Sequence, residues 1–277
     1  FGSFARKTKI RPLDDIDIMI GLSGDGSTYY EFGDEIKIHV NNDESPQKNY
    51  CHNDTNELNS TKVINKFIKE LKTLSNYKKA EMHKSGAAAT LQLKSYEWNF
   101  DIVPCFLTTK QSDGRNYYLI PDGKGNWQKT DPRKDRDKVT ALNQKHNGLM
   151  LETIRLVKYW NRRPTMPLIP SYVLESLLLQ YFDDVDGVSN YIDLRFRDAI
   201  EYIKDNIWYS INDPKEIQGD LNRLTFEEKS KVSNKADDDY RKAKEAIFAE
   251  VNEKDHKKSI KKWTEIFGTE FPKYNED

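Results

Sequence analysis

Asp15 and Asp17 in the run Asp15-Ile16-Asp17-Ile18-Met19-Ile20, with Asp101 in Asn99-Phe100-Asp101-Ile102-Val103, are the residues whose types and spacing could do chemistry. Ile16, Ile18 and Ile20 alternate with Asp15, Asp17 and Met19, the period of a strand with one buried face. The two carboxylates then point the same way, roughly 7 Å apart at about 3.3 Å per residue. The same parity turns Asp14 away, onto the surface. Residues 100–103 read as a second short strand, and as a neighbour in the same sheet it would carry Asp101 to the other two. Mg²⁺ takes oxygen ligands and is usually held by a few carboxylates plus substrate phosphates, so three aspartates are enough. Two such ions about 4 Å apart can activate an attacking hydroxyl and stabilise the leaving oxygen of an in-line displacement. The expected chemistry is nucleotidyl transfer on two Mg²⁺, with Mn²⁺ as a substitute, and Asp15, Asp17 and Asp101 as both catalytic and metal-holding residues.

Gly2-Ser3 would supply the other half of the site. A glycine lets backbone approach a phosphate closely, and a serine hydroxyl with nearby N–H groups can bond β- and γ-phosphate oxygens. The competing reading is an N-capping serine beside solvated strand-end carboxylates. It explains poorly why two aspartates share one face of an apolar strand.

The elements that must position these residues divide into two lobes, 1–140 and 141–277. In the first, the acidic strand is followed by a turn-rich segment, an alternating strand over 35–40, and a polar stretch, 41–59, expected to be a mobile surface loop. Ser60 opens a helix with Val63, Ile64, Phe67, Ile68, Leu71 and Leu74 at helical spacing. Residues 87–106 read as a hairpin carrying Asp101, and 116–133 as a strand, a tight turn and an extended exit. Trp127 could roof a base pocket or fill the core. The second lobe reads as helical. Asn147-Gly148 can cap a helix lined on one side by Met150, Ile154, Val157 and Trp160. On its polar side Arg155 and Lys158 are either a solvated pair or face a cleft. Ser171, after Pro170, suits an N-cap, with Tyr172 buried behind it. Two long helices with charged outer faces follow. The run Asp237-Asp238-Asp239 is not a metal site, because consecutive helical residues project about 100° apart; it reads as a solvated acidic run.

Composition narrows the class. The 277 residues can bury a substantial core, 32% are charged, and the mean hydropathy is −0.85. No apolar run is long enough to span a bilayer, so no membrane partner is expected. The net charge of −1 gives no general attraction to nucleic acid, although 44 Lys and Arg leave room for a local basic groove. Cys51 and Cys105 suit a reducing cytoplasm, and Cys51-His52 lacks the second half of a zinc site. The chain opens on Phe1 without an initiator Met or a visible signal peptide, which points to an incomplete or processed sequence.

The segments 2–20 and 100–104 together resemble the DNA polymerase β-type nucleotidyltransferase superfamily. Within it, residues 146–163, 170–178 and 261–272, in that order, resemble the bacterial cGAS/DncV-like nucleotidyltransferases, the CD-NTases. The resemblance implies an α+β, bilobed polymerase β-like fold. A mixed β-sheet catalytic lobe would pack against a mostly helical lobe, with the active site in the cleft. It implies that Lys158 reaches the triphosphate or base of a bound nucleotide, that Ser171 contacts phosphates, and that Tyr172 stacks on a base. It places Asn143 beside the acceptor or donor base, where an amide offers donor and acceptor together and leans toward a pyrimidine, unless Asn143 merely caps the following turn. Residues 213–224 resemble a loop near the nucleotide, with no residue role assigned.

The activity so implied joins nucleoside triphosphates into a cyclic dinucleotide second messenger and releases pyrophosphate. A separate effector protein would respond to it in antiphage defence. No obligatory nucleic-acid activator and a cytoplasmic monomer are expected. The alternatives on the same core are a template-independent polymerase or an enzyme that nucleotidylylates proteins or small molecules. An inert nucleotide-binding module would be free to lose a carboxylate, and none of the three is missing.

Overall fold

Strands form where β-branched and aromatic residues alternate with polar ones, and helices where the apolar period lengthens. The computed structural model describes residues 1–11, 15–33 and 35–275; Asp14 lies outside the described residues. The chain divides into two compact units, Phe1–Arg133 and Lys134–Asp277.

The first unit contains a one-turn helix α1 (Gly2–Ala5), strands β1 (Asp15–Gly21), β2 (Thr28–Phe32) and β3 (Glu35–His39), and helix α2 (Ser60–Thr73). Strands β4 (Glu81–Ser85), β5 (Ala88–Gln92), β6 (Asn99–Leu107), β7 (Tyr118–Pro121) and β8 (Trp127–Thr130) follow. They form one mixed sheet in the order β2-β3-β8-β7-β6-β5-β4, with β1 joined to β6. β6 is the hub. Its first half pairs antiparallel with β5, its end pairs antiparallel with β7, and β1 runs parallel to it from Asp15↔Asn99 to Gly21↔Cys105. Pro104, which has no N–H to donate, sits between the β5 and β7 pairings.

Asn59 caps α2 by accepting from the Lys62 N–H, and α2 lays Ile64 on Ala89, Leu91 and Ile102. That core is built on β5 and β6, so the isoleucine face of β1 is not fully buried: Ile18 is 39% exposed and Ile20 37%. A second core gathers Ile36, Ile38, Val40, Phe106 and Leu119 around Trp127. Trp127 is 0% exposed and donates its Nε1–H to the Leu58 carbonyl at 2.9 Å, so it is a core residue and roofs no base. Residues 41–59 are not a featureless loop. A 3₁₀ turn at Pro46–Tyr50, a bridge between Cys51 and Leu58, and burial of both those side chains build them into the unit.

The second unit is helical: α3 (Pro132–Lys145), whose first two residues belong to the first unit, then α4 (Leu149–Asn161), α5 (Ser171–Asp184), α6 (Ile192–Asn206), α7 (Phe226–Phe248) and α8 (His256–Phe267). The extended exit expected after β8 is instead the start of α3. Pro132 suits a first helical position, where no intrahelical partner is lost. Met150, Ile154, Val157 and Trp160 are all fully buried, packed with residues of α5 and α6 including Leu174, Phe182, Phe196 and Ile200. Asp239 corrects the expectation of a solvated acidic run. It is 0% exposed, accepting from Trp160 Nε1 at 2.7 Å and from Lys235 at 2.6 and 2.7 Å. No helix of the described residues is long and apolar enough to cross a membrane.

Candidate active site

Parallel pairing of β1 with β6 sets Asp17 directly beside Asp101, and strand alternation adds Asp15 on the same face. One carboxylate oxygen from each of Asp15, Asp17 and Asp101 lies within 4.8 Å of the others, and all three residues are half-buried. No other group of three potential metal-ligating residues gathers in this way among the described residues. Like charges at this range repel. Burial first, then the charges of Asp15 and Asp101, push the Asp17 carboxyl above its usual range, with Lys9 pulling it back. An all-oxygen donor set whose members resist ionising together fits a hard divalent cation.

The start of the chain packs on the middle carboxylate. The Phe1 nitrogen donates to the Asp17 carbonyl at 3.0 Å. Gly2 has φ +69°, and a Cβ there would lie 1.8 Å from Asp17 Oδ2. Only glycine fits, for both conformation and space. Ser3 follows in α1, and its carbonyl accepts the Thr8 N–H at 3.0 Å. The sequence thus brings Gly2, Ser3, Asp15, Asp17 and Asp101 into one neighbourhood.

Two residues at this site escaped sequence reasoning. Lys9, with a side chain 10% exposed, pairs with Asp15. Thr90, directly across the β5–β6 ladder from Asp101, donates its hydroxyl to Asp101 Oδ1 at 2.6 Å. The signal for Thr90 was the hairpin itself, since any polar residue opposite Asp101 is within reach.

The four positions taken from the resemblance lie in the helical unit, and three of them have partners there. Lys158 does not lie on a solvated face: it is 5% exposed, with its ammonium 3.3 Å from Glu175 Oε2, itself 1% exposed. Asn143 Oδ1 accepts the N–H of Leu151, in the first turn of α4, at 3.2 Å. Tyr172 is half-buried. Its hydroxyl donates to Asp213 Oδ1 at 2.9 Å, and the Lys215 ammonium stands 4.5 Å from its ring centroid. Ser171 is exposed at the first position of α5 and is not its N-cap, which is Pro170. Proline restrains the residue before it, here Ile169, so the helix is free to begin straight after.

The sequence also left Asp213 without a role. Besides Tyr172 it accepts the N–H groups of Lys215, Ile217 and Gln218, which fixes the loop that follows. These bonds and the nearby Lys215 charge hold its carboxyl below the usual range against the opposing effect of burial, the largest single influence.

The mixed sheet carrying Asp15, Asp17 and Asp101, with the helical unit after it, defines an α+β fold of the polymerase β-like nucleotidyltransferase class. Solved structures agree. CdnC of E. coli MS115-1, determined with ATP, superposes with a TM-score of 0.67 at 16% identity, over 98% of this chain and 82% of that one. The Vibrio cholerae DncV cyclic AMP-GMP synthase gives 0.64 at 11% identity, over 98% and 68%. A probable cyclic nucleotide synthase of Bacillus cereus (strain VD146) is 44% identical over 276 residues, covering 100% of this chain and 82% of that protein. No family model matches the chain. The chain belongs to the family of that cyclic nucleotide synthase, and it shares the fold of CdnC and DncV.

Proposed function

We propose that this protein joins nucleoside triphosphates into a cyclic dinucleotide second messenger, releasing pyrophosphate. The observation that carries the reading is the convergence of Asp15, Asp17 and Asp101 oxygens within 4.8 Å on the paired strands β1 and β6, with Gly2 packed so closely on Asp17 that no Cβ fits there. The three aspartates would hold two Mg²⁺, or Mn²⁺ in their place. Bound there, the cations would activate a ribose hydroxyl and neutralise charge on the triphosphate. Gly2 and Ser3 bring backbone and hydroxyl donors to the phosphates, and no protein nucleophile is needed, because positioning and charge supply most of the effect.

In this reading residues 1–140 are the catalytic lobe, and 141–277 bind base and phosphate. Ser171 is an exposed hydroxyl for phosphate, and Tyr172 a base platform held by Asp213. Lys158 acts with Glu175 as a buried pair. Asn143, its oxygen taken by Leu151, reads a base through its amide nitrogen. Activity is cytoplasmic and monomeric, needs no nucleic acid, and serves antiphage signalling through a separate effector protein. A protein partner is a further option for control, since the CdnC relative has been solved in a complex with HORMA.

Incubation with each labelled nucleoside triphosphate and Mg²⁺, followed by phosphatase and nuclease digestion, tests the reading. A phosphatase-resistant cyclic product is expected, and its digestion gives the bases and the linkage. A ladder of linear products, or transfer of label to protein, would move the enzyme to another branch of its class.

A further inference from the structure

The three carboxylates of the site are supported unequally. Asp15 faces a cation, Lys9. Asp101 faces a neutral donor: Thr90, 4% exposed, gives its hydroxyl to Oδ1 at 2.6 Å. An O–H···O⁻ bond of that length is in the charge-assisted range. Its geometry is dictated by the sheet. Ala89 and Leu91, the neighbours of Thr90 on β5, point into the α2 core and are 1% and 4% exposed, so alternation turns Thr90 to the Asp101 face. Branching at Cβ stiffens χ1 and keeps the hydroxyl aimed.

A lysine and a hydroxyl do different things to a metal-holding carboxylate. An ammonium cancels charge and competes with an incoming cation. A hydroxyl fixes the carboxylate's rotation, leaves its negative charge in place, and occupies one oxygen so that the other can be presented to an ion. We propose that Thr90 is a positioning residue for Asp101, holding it in the orientation in which it takes a divalent cation. This rests on the metal reading of the three aspartates.

The test is Mn²⁺ binding to the nucleotide-free protein, followed by the electron paramagnetic resonance signal of the free ion. Thr90→Val keeps shape and strand preference but removes the donor. Its Mn²⁺ affinity should fall by about 10–100-fold, the usual cost of losing a partner that orients a ligand. Its melting temperature in chelator should stay near that of the wild type, and Thr90→Ser should bind close to wild type. In an Asp101→Ala background, adding Thr90→Val should cost nothing further. Wild-type binding by Thr90→Val beside weak binding by Asp101→Ala would overturn this proposal and leave the metal reading standing. Wild-type binding by Asp101→Ala would overturn the metal reading itself. A Thr90→Ser variant as weak as Thr90→Val would show that the hydroxyl is not what matters. Should Thr90→Val not fold, Thr90→Cys, of serine's size but a weak donor, replaces it. Equal affinity of the Cys and Ser variants would then overturn the proposal.

Discussion

The β unit and the helical unit use their buried polar groups in opposite ways. In the helical unit, charges are answered from within: Lys158 by Glu175, Asp239 by Trp160 and Lys235, Asp213 by three backbone N–H groups and Tyr172. In the β unit, three carboxylates crowd together, Asp15 facing Lys9 and Asp101 facing Thr90, while burial, and after it the charges of those two neighbours, pushes Asp17 away from ionisation. A fold that tolerates such repulsion gives up stability where it needs chemistry, whereas the helical unit's groups serve stability first. The contrast separates residues that a ligand must complete from residues that the protein completes for itself.

The largest effect expected from breaking this contrast is at the carboxylates. Asp15→Asn with Asp17→Asn should lower product formation by at least about 10²–10³-fold, the scale of losing charge stabilisation at a reacting centre. The circular dichroism spectrum should be unchanged. Turnover near the wild-type rate in either Mg²⁺ or Mn²⁺ would remove the metal assignment.

Lys158→Met should act on the other side of the comparison. It removes the cation facing Glu175, a carboxylate 1% exposed, and should destabilise the fold by up to about 3–5 kcal/mol in thermal or denaturant unfolding. Adding Glu175→Leu should recover most of that loss. A KM for nucleotide that stays raised in the recovered double variant would give Lys158 a second duty toward substrate. A KM restored along with stability would make it structural alone.

Those two regions were also unequally legible in the sequence. Asp15, Asp17 and Asp101 could be read because strand period fixes which side chains share a face, and because acidic residues on an apolar strand have few structural uses. Gly2 was legible as a glycine, but its reason, the Asp17 carboxylate where its Cβ would be, is a contact no local pattern encodes. Thr90 and Lys9 escaped for the same cause: each matters through a partner on another element. In the helical unit, period placed Met150, Ile154, Val157 and Trp160 in the core correctly. It misplaced Asp239 and left Lys158 open between a solvated face and a cleft, since a charge on a helix reads as solvated until the neighbour that buries and answers it is known.

The smallest effect separates the units by sign. Because the Asp17 carboxyl is raised in the fold, the folded protein holds that proton more tightly than the unfolded chain does. The associated stability is present below the ordinary carboxylate value and is lost as pH rises through the folded value. Near neutral pH the ionised group therefore works against the metal-free fold. Asp17→Asn in chelator should raise the melting temperature, by a few degrees at most, given about 2–4 °C per kcal/mol for a chain of 150–250 residues. The gain should vanish at pH values where both states are protonated. Mg²⁺ should stabilise the wild type and not the variant.

The central claim is that the three carboxylates hold the cations for nucleotidyl transfer, and anomalous scattering tests it most directly. Crystals of the wild type grown with Mn²⁺ and a non-hydrolysable nucleoside triphosphate should show two Mn²⁺ peaks about 4 Å apart, bounded by Asp15, Asp17 and Asp101. Mn²⁺ bound elsewhere with those carboxylates bare, in a protein that still forms product, would contradict the account.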